Sequence, residues 1–348
     1  RCLRCPEPSC VQGCPVHNRI PDFIVALLDG DFSRGTDILR QTSNLPAVCG
    51  RVCDKARQCE GACVLAREGG DAVAIGNLER FLGDWEVQEG LVQKRGQTRL
   101  PATGKRVAVV GSGPSGLAVA ADLAVLGHRV TVFESLPVLG GALAWGIPAF
   151  RLHTGVLDSE LERLVNLGVE FQTNTKVGLD VTVDDLYAKG YNAVFIGAGA
   201  TVSTGMGIPG EDLKGVYSAT EFLSRSKLSR LGRGEYASPE VGERLAVIGA
   251  GNTAMDVAQT AIRLRDTFEM LEIGDAHTTM DVAETALRLG FRQVSVVYRR
   301  SEAEMPARKE EVESAKEEGT RFRFLTAPVR FIGDGNGKLV AMECIEME

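Results

Sequence analysis

The chain has 348 residues, 44% of them hydrophobic and 24% charged, with a formal net charge of −7. That composition excludes a disordered chain, and the acidic balance excludes a nucleic-acid binder working through a basic face. No apolar run reaches the roughly eighteen residues of a membrane helix, so no membrane span is expected, and the length leaves room for two or three domains.

Residues 1 to about 96 are rich in Cys, Gly and Arg, with helical patterning around Ile20 to Leu28 and Ala72 to Val87. Eight of the nine cysteines fall within the first 63 residues. The first group reads Cys2-x2-Cys5-x4-Cys10-x3-Cys14-Pro15, and the second reads Cys49-x3-Cys53-x5-Cys59-x3-Cys63. Thiols this dense in a cytoplasmic protein point to a soft metal or a cluster. A disulfide framework suits short secreted chains, and structural zinc usually shows paired C-x2-C knuckles, of which only one occurs here. Iron–sulfur chemistry is the remaining reading. Three close cysteines, a fourth further on and a following proline are similar to the bacterial ferredoxin run, in which the fourth cysteine crosses to the other cluster. Cys2, Cys5 and Cys10 then belong to one cluster and Cys14 to a second, with the distal group completing both in a partition that spacing leaves open.

A polar, turn-forming stretch from Gln97 to Gly104 reads as a linker. The β-branched run Arg106-Val107-Ala108-Val109-Val110 follows, and then Gly111-Ser112-Gly113-Pro114-Ser115-Gly116, an apolar helix to Leu126, and a second strand at Val130 to Phe133. In a strand–turn–helix of this kind the first glycine makes the turn, the second admits a pyrophosphate and the third permits close helix packing. Glu134, 23 residues after Gly111, stands where a carboxylate accepts from a ribose hydroxyl, which favours FAD or NAD over NADP. Gly140-Gly141 lies just beyond and is a candidate for contact on the flavin side.

The pattern restarts 138 residues later at Arg244 to Ile248, followed by Gly249-Ala250-Gly251-Asn252-Thr253-Ala254. The strand expected after its helix, Gln293 to Tyr298, ends in Arg299-Arg300 instead of an acid, and two guanidiniums there suit a 2′-phosphate, hence NADP(H). Gly249 to Arg299 spans 50 residues, where about half that is usual. Residues 252–264 are echoed 25 residues later by 277–289, so 265–289 reads as a duplication-like insertion. Ala307 to Gly319 is a charged helix with a solvated face. His17, His128, His153 and His277 are expected to be structural. The chain opens on Arg1-Cys2 and closes on what reads as an unfinished strand from Lys338 to Glu348, so a fragment of a longer protein is expected.

Gly13-Cys14-Pro15-Val16, Gly50-Arg51-Val52-Cys53, Cys59-Glu60-Gly61-Ala62-Cys63, Gly146 to Leu152 and Val297 to Ser301 together resemble the glutamate synthase small-subunit family. That family includes the large subunit of NADH-dependent ferredoxin:NADP oxidoreductase and the amino-terminal half of dihydropyrimidine dehydrogenase. The resemblance implies an α/β fold: a helical N-terminal domain with two 4Fe–4S clusters (1–96), then two Rossmann-like dinucleotide-binding domains, for FAD (97–205) and NADP(H) (206–348). Carried over by position, it gives one cluster Cys2, Cys5, Cys10 and Cys63. The other takes Cys14, Cys53, Cys59 and Glu79, which the residues alone would place on a helix surface. Cys49 falls outside both sets. Arg151 and Val177 match flavin-contacting positions, and Asp256 follows the nicotinamide-domain motif. The family's chain returns after the NADP domain to complete the flavin domain, and this sequence stops before that return.

The activity implied is electron transfer, with hydride passing between NADP(H) and FAD and electrons moving singly through the clusters. No acid–base residue is required, and no Ser-His-Asp or H-E-x-x-H arrangement supports hydrolysis. A flavin-bifurcating subunit and a non-catalytic relay or scaffold are the rival readings. The implied partner is a larger subunit, of glutamate synthase, ferredoxin reductase or hydrogenase type.

Overall fold

The computed structural model describes residues 2–92, 99–200, 202–229, 237–239, 244–271 and 293–347, and the chain divides into two compact units, 1–199 and 200–348. The first opens with α1 (Ser9–Gln12), α2 (Ile20–Leu28), α3 (Phe32–Arg40), α4 (Pro46–Val52), α5 (Val64–Arg67) and α6 (Ile75–Gln88). Pro21 sits in the first turn of α2, where no intrahelical N–H is needed, and Ile20, Phe23 and Ile24 recur on the buried face. Asp31 starts α3 by accepting the Arg34 N–H at 3.0 Å.

Helices α4 and α6 pack through glycine. A Cβ on Gly83 would lie 2.6 Å from Ala47 Cα, and one on Gly50 would lie 2.5 Å from the Arg80 backbone nitrogen. Gly83→Val is therefore expected to destabilise the unit by about 1–3 kcal/mol through overpacking. The measurement is the urea midpoint, and an unchanged midpoint would mean that the two helices have room to spare.

After the helices come β1 (Arg106–Val110), α7 (Pro114–Val125), β2 (Arg129–Phe133), α8 (Ala142–Trp145), α9 (Thr154–Asn166), β3 (Glu170–Gln172), α10 (Val183–Ala188) and β4 (Ala193–Ile196). The sheet is parallel in the order β3-β2-β1-β4. Its strand order reverses at β1, and parallel sheets of this kind take their ligands beyond the carboxyl ends of the strands at such a point.

The helical segment and this sheet share one core. Leu45, Ala47 and Val48, at the start of α4, cluster with Val109, Leu117, Val132 and Leu164. A buried charge network crosses the same junction. Arg40 donates to Glu86 at 2.8 Å and to Glu160 at 2.7 Å, while Arg163 donates to Glu160 at 3.0 Å. Both glutamate side chains are 0% exposed.

The second unit contains α11 (Ala219–Leu228), β5 (Arg244–Ile248), α12 (Asn252–Leu271), β6 (Gln293–Val297), α13 (Lys309–Glu317), β7 (Arg321–Arg323), β8 (Thr326–Gly333) and β9 (Leu339–Glu346). Strands β5-β6-β7 form a parallel sheet in that order. Helix α13 buries only Val312 and Ala315, so the charged helix shows a narrow inner face. The terminal strand read from Lys338 to Glu348 is β9, paired antiparallel with β8. The backbone of α12 continues through 265–271; the rest of the 265–289 insertion lies outside the described residues.

Candidate functional site

Cys2, Cys5, Cys10 and Cys63 line one cavity, walled by Ile20, Ile24, Val64 and Ile75. The distal cysteine reaches the first group by local packing. Ser9 Oγ donates to the Ala62 carbonyl at 2.6 Å, and a Cβ on Gly13 would lie 2.6 Å from Ala62 Cβ, so α1 lies against the segment that ends in Cys63. Arg4 takes a left-handed φ of 52° at the turn between Cys2 and Cys5. Burial pushes the Cys10 thiol up, opposed by the Val11 backbone and reinforced by Cys2 and Cys63. A thiol held this way must release its proton to bind iron, so loading is coupled to proton release.

The second set gathers around Glu79. Its side chain is 6% exposed on α6, so the surface position that the residues alone suggest is corrected: packing against α4 encloses it. Burial pushes its carboxyl up to about 8; Cys53 raises it further, while Lys55 and a hydrogen bond from Asn18 Nδ2 at 3.3 Å oppose. The Cys59 thiol is pushed up to about 12 by burial, with Glu60, Glu79 and Cys14 adding to it. Cys53 and Cys59 thus both lie within electrostatic range of Glu79, and Cys14 within range of Cys59, in a largely buried space that disfavours charge. Among the described residues, no three His, Cys, Asp or Glu side chains close on a point suited to a single ion. The chemistry of these residues still fits a cluster: soft thiols gathered in a largely apolar setting are the donors that iron–sulfur iron prefers. Sequence reasoning missed Asn18, which also accepts from Thr42 Oγ1 at 2.5 Å, because an isolated asparagine carries no signal in the chain.

At the first glycine turn, Gly111 has φ +96°, Gly113 precedes α7, Pro114 occupies its first turn, and Ser115 follows. A Cβ on Gly116 would lie 2.0 Å from the Gly111 carbonyl oxygen, so the third glycine is required for close packing. Glu134 is buried and accepts four hydrogen bonds: from the Ser112 N–H at 3.0 Å and Oγ at 2.6 Å, the Ser135 hydroxyl at 3.1 Å and the Leu136 N–H at 2.9 Å. It anchors the loop, a role the spacing did not indicate. Ser112 Oγ in turn accepts the Gly140 N–H at 2.9 Å, tying the second glycine pair to the first turn. Gly141, at φ +54°, approaches so closely that a Cβ would lie 2.7 Å from Gly113 Cα. Arg151 stacks its guanidinium over Phe150, 5.7 Å from the ring centroid. Val177 packs beside Phe133, Val181 and Leu186, next to the carboxyl end of β2.

In the second unit Gly249 has φ +112°, and no atom within 4 Å would meet a Cβ on Gly249 or Gly251. Asn252 opens α12 and accepts the Arg308 N–H at 3.0 Å; Thr253 and Asp256 follow on its first turns. The register pairs Ile248 with Val297, which sets the Gly249 turn and Arg299 at the carboxyl ends of neighbouring strands. The long sequence span between them therefore leaves the two strand ends adjacent. Arg299 and Arg300 line a cavity of about 400 Å³ with Glu304, Leu325 and Met347. His17 lies 3.3 Å from the Val11 carbonyl, His128 pairs with Thr103, and His153 caps α9 through Gly155; His277 lies outside the described residues.

Residues 1–91 match the family model described as dihydropyrimidine dehydrogenase domain II, 4Fe-4S cluster, and residues 105–347 match the pyridine nucleotide-disulphide oxidoreductase model. The chain is 38% identical over 353 aligned residues to the glutamate synthase (NADPH) small chain of Escherichia coli (strain K12), covering 100% of this chain and 68% of that protein. It is 37% identical to the NADP(+)-dependent formate dehydrogenase subunit beta of Moorella thermoacetica, covering 97% of this chain and 46% of that one. It thus spans between about half and two thirds of these relatives' length. Mycobacterium tuberculosis FprA in complex with NADPH shares the fold, with a TM-score of 0.55 at 22% identity over 72% of this chain and 69% of that one. Among the described residues no helix is long and apolar enough to cross a membrane. The helical cysteine-bearing segment, the two glycine turns and full-length similarity agree, and the chain belongs to the glutamate synthase small-chain family of oxidoreductases.

Proposed function

We propose that this chain is an NADPH-linked electron-transfer subunit, with clusters carried on 1–96, FAD on 97–205 and NADP(H) on 206–348, acting in the cytoplasm beside a larger subunit. When bound, FAD and the two 4Fe–4S clusters supply the change from hydride to single-electron transfer. The protein's own residues hold and orient them. Backbone N–H groups of the Gly111–Gly116 turn, at the start of α7, face a pyrophosphate, and Gly141 leaves room beside it. Glu134 keeps that turn in place and offers a carboxylate to ribose. Arg151 and Val177 contact the flavin. Gly249, Gly251, Asn252, Thr253 and Asp256 form the second nucleotide turn, and Arg299 and Arg300 take the 2′-phosphate. Cys2, Cys5, Cys10 and Cys63 hold one cluster; Cys14, Cys53, Cys59 and Glu79 hold the other.

The observation that carries this reading is the cavity lined by Cys2, Cys5, Cys10 and Cys63, the last of them 53 or more positions from the others in sequence. The relatives' names, small chain and subunit beta, support a larger partner, and a glutamate synthase large subunit suits the similarity best. The test is anaerobic purification with iron, acid-labile sulfide and FAD counted per chain, followed by NADPH-dependent dye reduction. Material without iron and flavin overturns the proposal. Arg299→Ala and Arg300→Ala are expected to raise KM for NADPH at least about tenfold, or about 1.4 kcal/mol of binding, with NADH kinetics unchanged. Equal losses with both nucleotides would remove these arginines from phosphate recognition.

A further inference from the structure

Cys49 belongs to neither proposed ligand set, yet it stands beside one of them. It lies one helical turn before Cys53 on α4, with the Cys53 N–H donating to the Cys49 carbonyl at 3.2 Å. Residues four apart share a helix face, so the two side chains leave α4 on the same side. Ser43 Oγ donates to Cys49 Sγ at 3.8 Å, which steadies the sulfur on that face. Helix α6 meets the same spot. The Arg80 backbone lies against Gly50, which brings the neighbouring positions Glu79 and Cys49 together where α6 crosses α4; Cys53, burial and Glu79 all push the Cys49 thiol up. A soft thiol therefore sits within reach of the position that a hard carboxylate is assigned to fill, although thiolate is the better donor to iron–sulfur iron.

We propose that Cys49 is a standby ligand for the second cluster, taking the iron site of Glu79 whenever that carboxylate is removed or displaced. The exchange breaks an iron–oxygen bond and forms an iron–sulfur bond. The thiol proton passes to the freed carboxylate or, where residue 79 has none, to solvent, and no electron is transferred. Exchanging a hard donor for a soft one retunes the cluster without losing it, so the pair Glu79 and Cys49 gives one site two ligation states. This inference rests on the reading of Glu79 as a ligand.

The test compares full-length Glu79→Ala, Glu79→Gln, Cys49→Ser and the double variant Glu79→Ala/Cys49→Ser, each purified anaerobically. Iron and acid-labile sulfide per chain and the EPR spectrum of the reduced protein are the readouts, with FAD content as the folding control. The expected result is that Glu79→Ala and Glu79→Gln keep full iron but shift one EPR signal, and Cys49→Ser matches the parent. The double variant is expected to lose about half its iron while retaining FAD. If Glu79→Ala alone loses that iron, or the double variant matches Glu79→Ala, Cys49 is no standby and Glu79 remains the ligand. If Glu79→Ala is silent and Cys49→Ser removes one signal, Cys49 is the resident ligand and the reading of Glu79 fails with the inference.

Discussion

Arg40→Ala is expected to lower the unfolding free energy of the first unit by about 3–5 kcal/mol, a large part of the roughly 5–15 kcal/mol typical of a domain. Burial by itself would pull the guanidinium's pKa down, but Glu160 and Glu86 push it above the ordinary arginine value. Arg40 donates to both carboxylates and, at 2.7 Å, to the Asn44 carbonyl. Its removal leaves Glu86 and Glu160 enclosed with Arg163 as the nearby cation, and the Arg163 pKa is itself lowered, first by burial and then by Arg40. Leaving a buried charge without its partner is the costly case; exchanging the whole set for apolar residues is not. Neutralising the whole set, as in Arg40→Met/Glu86→Gln/Glu160→Gln/Arg163→Met, is therefore expected to recover much of the loss. Urea unfolding of both variants checks this. Equal destabilisation by the two would show that the arginine acts through packing alone.

Cys63→Ser is expected to remove the cluster of the cavity it shares with Cys2, Cys5 and Cys10, lowering iron and acid-labile sulfide to about half. The reasoning is geometric and chemical. Cys63 joins the first three cysteines from a distant point in the sequence, and a hydroxyl is a poor substitute for thiolate on such iron. The rest of that cavity's lining is apolar apart from Ser9, whose hydroxyl is already bonded to the Ala62 carbonyl, so it offers no replacement thiolate. Elemental analysis with EPR reads the outcome directly. Unchanged iron with both reduced-cluster signals present would take Cys63 out of the ligand set.

Local features were legible in the chain because each depends on residues near one another in sequence. The β-branched runs at Val107 to Val110 and Val294 to Val297 became buried parallel strands, and the glycine turns at Gly111 and Gly249 both adopt positive φ. The cysteine spacing pointed to soft-metal chemistry before any fold was known. What was not legible depends on enclosure from several sides. Arg40 and Glu160 are 120 positions apart, and nothing in either helix marks them as buried instead of solvated. Glu79 shows the same limit: periodicity on α6 shows an outward-looking charge, and only packing against α4 closes over it. Family resemblance supplied Glu79 where pattern could not. Glu134 was read as a ribose acceptor from its distance to Gly111, but its four bonds to the loop and to its own neighbours depend on how two turns meet.

The shared packing of Leu45, Ala47 and Val48 with the strands of the first sheet bears on where this chain can be cut. A cysteine-bearing fragment released near residue 97 would present those side chains, and the acids that Arg40 neutralises, to water. Its exposed face would favour aggregation over independent folding. The chain's own division falls at residue 199, so the cysteine-bearing helices and the first sheet form one cassette while the second unit is the separable piece.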